Sequence, residues 1–474
     1  MSNLLDKISN KNLIIIAISL IFLAVLPFLI SSSFHDSQRL ISTIFIGCLL
    51  TYSLLKYEIW RENELRVLLI FLSMGLMATI HSLDSFWSTI ELFIFLNIFL
   101  FTISFTMNIN GNKIKHLALI FTLVQLIYAC RSLANYFMII ASRDKIDAWV
   151  IIDGFDNIRF YAQFLSWTLP FIIGYLALQD RTRHTKLILI TASLSFALAF
   201  ITGTRAFILG MIFTVISVFI FAPNWWARYL KYLLTTSSIG AFIYLLMIFL
   251  IPTFFGIDNH AALESTVHRD FTNSSGRVEI WMQTIHIAFN NPWLGIGPMM
   301  TAADGALKTV AHPHNFILQL MAEWGLPFTI LFLFLTIYLI HKWRKLIAQN
   351  PINREPLALP MTAALSSAFA ASLVDGVMVM PVSLTYMAII IGATINLMKT
   401  WTPEVPNFKL STITRFTLIL PAFLLLAVTI YQWEFVDLKK QNSLHTAPRF
   451  WSDGKITTKI SFIQHSTKYT PLKK

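Results

Sequence analysis

The sequence predicts an all-α polytopic membrane protein with about 12–13 spanning helices and one large outer loop. Three observations carry that prediction. Of 474 residues, 56% are hydrophobic and 13% charged, where a soluble domain carries roughly 25% charged residues. The apolar residues collect in runs close to the roughly 20 needed to cross a bilayer. The connectors between runs alternate between basic and nearly uncharged, which is the pattern two unlike membrane faces impose.

In chain order the apolar runs are 13–31, 39–55, 65–80, 86–108, 117–140, 160–178, 187–203, 206–222, 232–252, 326–341, 357–374, 382–398 and 414–432. The first exceeds the roughly 7–15 apolar residues of a signal peptide and has no small-residue cleavage pattern, so it reads as a retained helix. Basic connectors hold Lys56, Arg61 and Arg66; Lys113 and Lys115; Arg181, Arg183 and Lys186; Arg228 and Lys231; Lys342 to Arg354; and Lys399 to Arg415. Between them fall connectors such as 81–85 and 375–380, almost free of positive charge. The bias of Lys and Arg toward the cytoplasm puts the basic set and the N-terminus inside. Residues 31–38, 141–159, 202–205 and 253–325 then face outward, as does the tail 433–474 despite its lysines. The chain thus divides into N-terminal helices 1–252, a loop 253–325 expected to hold the chemistry, C-terminal helices 326–432, and a tail 433–474.

Much of the formal charge of +12 sits in the short connectors, which removes the argument for nucleic acid and leaves membrane lipid as the bulk partner. Cys48 and Cys130 both lie in apolar runs, as small hydrophobes rather than a disulfide framework.

Residues 253–325 form the one long, mostly polar interval, and such loops in compact proteins are usually functional. Ser274 or Ser275 can cap a helix. Its apolar positions Val278, Trp281, Ile285 and Phe289 recur at helical spacing until Asn290-Asn291-Pro292 ends it. This predicts an amphipathic helix at the membrane surface, with Arg277 in its first turn. A second helix starts near His314, carries Phe316, Leu318, Leu320, Met321 and Trp324, and breaks at Gly325 and Pro327.

Arg39, Arg131, Arg159, Arg205, Arg269 and Arg277 lie in outer connectors or at outer ends of runs, against the bias that sets the topology. Each either pairs with a carboxylate such as Asp36, Asp153, Asp156, Asp270 or Glu279, or with lipid phosphate, or joins an anion site, where the guanidinium fork matches phosphate oxygens. His312 and His314 flank Pro313. His314 either helps cap the helix that follows or serves as a general base, a role suited to an imidazole largely neutral near pH 7. A metal site needs three or four ligands, and His260, His268 and His286 show no spacing that supplies them. Glu91, inside an apolar run, and Glu323, beside Trp324, are each either a substrate contact or a hydrogen-bonded structural carboxylate. Gly295 and Gly297 lack the strand and helix context of a dinucleotide loop and read as turns. There is no Walker A pattern, no Gly-x-Ser-x-Gly elbow and no Asp-x-Asp, and no cofactor is assigned.

The residues Arg277, Trp281 and Pro292-Trp293-Leu294-Gly295-Ile296-Gly297, followed by His314-Asn315-Phe316-Ile317-Leu318-Gln319 and Glu323-Trp324-Gly325-Leu326, resemble the O-antigen ligase and polymerase superfamily in its shared Wzy-C region. The likeness covers residues 200–345. Outside it, His35-Asp36-Ser37-Gln38-Arg39, Asp156-Asn157-Ile158-Arg159-Phe160 and Pro448-Arg449-Phe450-Trp451 resemble elements of the ligase and protein O-oligosaccharyltransferase branch. The resemblance implies a helical GT-C-like fold in the bacterial inner membrane with a large periplasmic loop. It implies metal-independent transfer from an undecaprenyl-diphosphate-linked glycan donor on the periplasmic face. It makes His314 the catalytic histidine and Arg205 and Arg277 the diphosphate-binding arginines, with Arg159, Arg39, His312 and Glu323 as candidate substrate contacts. No long soluble C-terminal domain of the kind some protein-glycosylating members carry is apparent, which favours lipid A-core as acceptor over a protein Ser/Thr hydroxyl or a growing glycan. The alternative of another class is a transporter or flippase for the same lipid-linked glycan. Such proteins often repeat a half with paired broken helices, whereas the polar residues here concentrate in one loop.

Overall fold

The computed structural model describes residues 2–28, 33–56, 59–104, 110–179, 183–259, 276–307, 310–402, 407–439 and 449–451, with the backbone alone at 2–12, 28, 56, 59–60, 183, 407–409 and 433–439. The helices in order are α1 (Ser2–Val25), α2 (Phe34–Lys56), α3 (Glu62–Ile80), α4 (Ser85–Ser104), α5 (Gly111–Ser142), α6 (Ala148–Ile151), α7 (Ile158–Leu178), α8 (Arg183–Thr202) and α9 (Arg205–Phe221). They continue as α10 (Pro223–Leu245), α11 (Ile251–Phe255), α12 (Arg277–Asn290), α13 (Phe316–Trp324), α14 (Leu326–Ala348), α15 (Pro351–Ser372), α16 (Pro381–Trp401) and α17 (Thr412–Lys439). One short antiparallel pair, β1 (Ile59–Arg61) with β2 (Asn407–Lys409), sets Trp60 opposite Phe408.

Local chemistry starts several of these helices. Side chains of Asn110, Asp147, Asn157 and Asn315 accept hydrogen bonds from the first-turn amides of Lys113, Trp149, Arg159 and Leu318. Each satisfies a donor that the helix itself leaves open. Proline opens α10, α15 and α16, where its missing N–H costs nothing.

Ten helices among the described residues are long and apolar enough to cross a membrane. The described parts of the apolar runs fall almost wholly on helices, but not all qualify. The described apolar part of α1 is only Leu13–Val25, and α9 has 17 residues. Helix α15 is long, yet its lower hydropathy has a packing reason. It is built from Ala363, Ala364, Ser367, Ala368, Ala370 and Ala371, all buried in protein, and small residues let helix backbones approach closely.

The described chain separates into two compact units, each assembled from three stretches of sequence. The first comprises Met1–Ser53, Phe101–Thr272 and Ile340–Glu404. Here α15 packs against α7 and α9. A Cβ on Gly174 would stand 2.8 Å from Pro360 Cα, and one on Gly210 would stand 2.8 Å from the Ser367 carbonyl oxygen. These pairings run the start of α15 beside the end of α7, so both neighbours are antiparallel to it. The starts of α7 and α9 therefore meet the end of α15.

That register sorts the connectors of the first unit into two ends. At one end, Phe34 N–H donates to Asp156 at 2.8 Å, Gln38 to the Gly154 carbonyl at 2.8 Å, and Gln163 to Asp375 at 2.9 Å. At the other end, Arg228 donates to the Gln179 carbonyl at 2.6 Å, Asn224 to Glu355 at 3.0 Å, and Lys399 to the Ile103 carbonyl at 2.9 Å. Arg228, Glu355 and Lys399 thus share the second end, and residues 34–38, 154–163 and Asp375 the first.

The second unit comprises Leu54–Leu100, Asn273–Leu339 and Val405–Lys474. Its core centres on Trp324, which meets Phe95 edge-on at 5.4 Å and stacks on Phe328 at 4.7 Å. Gly75 leaves room for that indole: a Cβ there would lie 2.9 Å from it.

Candidate active site

The floor of the site in the second unit is a backbone-to-backbone contact. Ile296 N–H donates to the Ala322 carbonyl at 2.9 Å, Gly297 N–H to that of Glu323 at 3.1 Å, and Leu326 N–H to that of Pro292 at 2.8 Å. Both glycines have positive φ, +66° and +103°. A Cβ on Gly295 would fall 2.5 Å from the carbonyl carbon of Glu323, and one on Gly297 would meet Ser82 at 2.4 Å. The Pro292–Gly297 segment thus clamps the end of α13, and glycine is required by the close approach as well as by the turn.

Above that floor sits the histidine pair. The His312 and His314 rings lie 4.3 Å apart at 67°. His312 is buried, and its Nδ1 accepts the His314 amide at 3.3 Å. In a neutral His312 ring the proton is therefore on Nε2. His314 has φ +54°, a left-handed conformation that costs a β-carbon residue roughly 1–2 kcal/mol. The capping role that His314 might have filled belongs to its neighbour, because Asn315 caps α13 by accepting from Leu318 N–H at 3.0 Å.

Helix α12 is tied to this loop. Arg277 opens the helix, and Trp281 lies one turn further on the same face. The Trp281 indole N–H donates to the Pro313 carbonyl at 3.0 Å, between the two histidines. Gly276, at φ +74°, occupies the N-cap position, while Ser274 and Ser275, expected there from sequence, lie outside the described residues. So do Arg269, His260 and His268. The buried face of α12 is Ile280, Thr284 and Ala288. Of the apolar stripe read from sequence, Val278 and Phe289 are exposed and Trp281 and Ile285 half-buried.

Behind the histidines lies a buried charge cluster. Arg449, 1% exposed, directs Nη2 at Glu323 (2.7 and 2.8 Å) and at Glu91 Oε1 (3.1 Å). Its Nη1 reaches Thr301 Oγ1 at 3.3 Å and the Ala311 carbonyl at 3.4 Å. Glu323 also accepts from Thr301 (2.5 Å to the hydroxyl) and from Gln319 (3.3 Å). Burial by itself would lower the Arg449 pKa, but Glu323 and Glu91 outweigh it and raise the value above that of an ordinary arginine. Sequence reasoning assigned Arg449 no role. Two signals were available: the resemblance of Pro448-Arg449-Phe450-Trp451 to the ligase branch, and the pair of carboxylates, Glu91 and Glu323, in apolar surroundings that demand a cation.

The remaining arginines belong to the first unit. Arg39, 4% exposed, donates from Nη2 to the Val379 carbonyl at 3.0 Å. Arg159 is the second residue of α7, and Arg205 opens α9 after the Thr202-Gly203-Thr204 turn, where Gly203 has φ +58°. By the helix register, all three share the end that carries Asp375. Arg131, by contrast, is committed to an ion pair with Asp153, its Nε donating at 2.6 Å. Each unit thus gathers its own candidates: Arg277, His312, His314 and Glu323 in one, Arg39, Arg159 and Arg205 in the other. Among the described residues, no group of three or more His, Cys, Asp and Glu side chains could hold a metal ion.

No curated protein and no solved structure matches the chain to a significant degree. A family does: residues 190–333 match the family model described as Wzy_C, O-antigen ligase. The matched interval holds Arg205, Arg277, His312, His314 and Glu323 and leaves out Arg39, Arg159 and Arg449. It identifies that part of the chain as the Wzy_C region and supports membership in the O-antigen ligase, polymerase and oligosaccharyltransferase class of membrane enzymes.

Proposed function

We propose that the protein is a membrane glycosyltransferase of the O-antigen ligase type. It moves a glycan en bloc from undecaprenyl diphosphate to an acceptor hydroxyl on lipid A-core, at the periplasmic face of the bacterial inner membrane. The observation that carries this reading is the His312-Pro313-His314 loop, held from α12 by Trp281 inside the matched region.

In the reaction, the acceptor oxygen attacks the anomeric carbon of the glycan as its proton passes to the imidazole of His314. The bond from that carbon to the diphosphate oxygen breaks, and the electron pair leaves with the diphosphate. Arg205 and Arg277 stabilise the charge that develops there, each through a planar fork that spans two phosphate oxygens. A diphosphate departs readily, so no separate acid is required. With two fixed guanidinium charges on the leaving group, the transfer proceeds without a metal.

The test is transfer by purified protein in lipid, with lipid-diphosphate glycan as donor and lipid A-core, a Ser/Thr peptide and free glycan as rival acceptors, each with and without chelator. The expected product is glycosylated lipid A-core, undiminished by EDTA. A product on peptide or glycan would reassign the acceptor. Loss of activity in EDTA, restored by divalent ions, would overturn metal independence. Donor translocation across vesicles with no transfer to any acceptor would assign the protein to transport.

A further inference from the structure

We infer that Arg449 is a positioning residue for the histidine loop, holding the carbonyl before His312 so that His312-Pro313-His314 keeps its conformation. This rests on the proposed role of His314. The division of labour within one guanidinium carries the inference. Nη2 serves the two carboxylates, Glu323 and Glu91, whereas Nη1 serves Thr301 and the carbonyl of Ala311. Ala311 directly precedes His312, and the Thr301 hydroxyl, whose one proton goes to the Glu323 carboxylate, accepts from the same Nη1 and so helps aim it. Thr301 is in turn fixed by Glu323, through its amide at 3.2 Å and its hydroxyl at 2.5 Å.

The cluster therefore links three separate stretches of the second unit. Glu91 comes from α4, Glu323 from the last turn of α13, and Arg449 from the segment 449–451. That segment has its own attachments. Phe450 lies 6.1 Å from Trp87, and the Trp451 indole donates to Gln432 at 3.0 Å. A guanidinium fixed in this way transmits a rigid reference point to residue 311. The left-handed backbone at His314 needs such support, because a strained conformation persists only where its surroundings over-determine it.

The residue type matters as much as the charge. A lysine at 449 keeps the positive charge among the carboxylates, but a single ammonium cannot also span to Thr301 and Ala311 as a planar fork does. Arg449→Lys thus separates charge balance from positioning. Thr301→Val removes only the hydroxyl and leaves the ion pairs in place.

The experiment combines hydrogen exchange of the full-length protein in nanodiscs with steady-state transfer kinetics, for wild type, Arg449→Lys, Thr301→Val and His314→Asn. Arg449→Lys is expected to speed exchange at the amides of Ala311, His312, His314 and Asn315 at least tenfold, with α13 unchanged. It should lower kcat about tenfold and leave the donor KM within twofold. Thr301→Val moves the same observables in the same direction by less. Wild-type exchange at 311–315 in both variants overturns the proposal. If Arg449→Lys does not fold, Thr301→Val decides by the same readout. If His314→Asn transfers glycan at the wild-type rate while Arg449→Lys still loosens 311–315, the general-base reading fails and the positioning contact stands.

Discussion

The indole nitrogen of Trp281 donates to the carbonyl oxygen of Pro313 across 3.0 Å. One hydrogen bond thereby ties the helix that begins at Arg277 to the peptide between the two histidines. Trp281→Phe keeps an aromatic ring, smaller than the indole, and deletes the donor, whose hydrogen bond is worth about 1 kcal/mol. We expect a small drop in melting temperature and a several-fold loss of transfer, read by thermal denaturation beside turnover. Unchanged turnover in this variant would show that the tether does not set the loop.

His314→Ala should lower transfer by ~10²–10⁴-fold, the usual contribution of a general base, with donor binding nearly intact. His314→Asn is the cleaner variant, since asparagine tolerates the left-handed backbone at φ +54°. His312→Ala should be milder, as it removes an acceptor for the His314 amide rather than the base. A stably folded His314→Asn protein with near wild-type rate would make His314 structural.

For the arginines, replacement by lysine separates charge from geometry. Arg277→Lys and Arg205→Lys retain a cation and lose the fork, so both should impair transfer more than a count of charges suggests. The alanine variants should be worse. Donor affinity and kcat measured separately tell whether the fork acts on the bound diphosphate or on the charge that forms as it leaves.

Three glycines with positive φ should respond differently to alanine. At Gly295 and Gly325 a Cβ would collide with backbone at 2.5 Å and 2.3 Å, so Gly295→Ala and Gly325→Ala should destabilise by roughly 2–4 kcal/mol. At Gly276 no atom lies within 4 Å, and only the conformational penalty of about 1–2 kcal/mol remains. Equal losses at all three sites, measured by denaturation, would count against the clamp between residues 292–297 and the end of α13.

Orientation is open to a reporter active only in the periplasm. Fused after Asp304 it should be active, and fused after Gln349 silent. The reverse pattern would move the histidine loop to the cytoplasm and remove the proposed enzyme with it.

The helices were largely legible because spanning runs, caps and breaks are local signals. Asn315 with Phe316 to Trp324, ended by Gly325, is readable from spacing alone. Helix α15 was harder to classify, since its alanines and serines answer to neighbours rather than to lipid. Gly295 and Gly297 read as turns, but the close approach to residues 322 and 323 that demands them exists only in three dimensions. Helix α12 shows the same limit: its apolar stripe is local and legible, whereas the face it buries in protein, Ile280, Thr284 and Ala288, is set by partners distant in sequence. Glu91 and Glu323 read only as a substrate contact or a structural carboxylate, because nothing local points from either to Arg449.

The separation of those three charges along the chain fixes their order of birth. Glu323 leaves the ribosome 126 residues before Arg449, and Glu91 leaves 358 residues before it. At ~5–20 residues per second, Glu323 waits roughly 6–25 s for its counter-ion. Two acidic side chains therefore enter an apolar setting before the guanidinium that pairs with them has been made, and burying a carboxylate without its partner is costly. The histidine loop is locked only when the last of the three arrives. A nascent chain stalled before residue 449 would hold every residue of the proposed chemistry and still lack the part that fixes it in place.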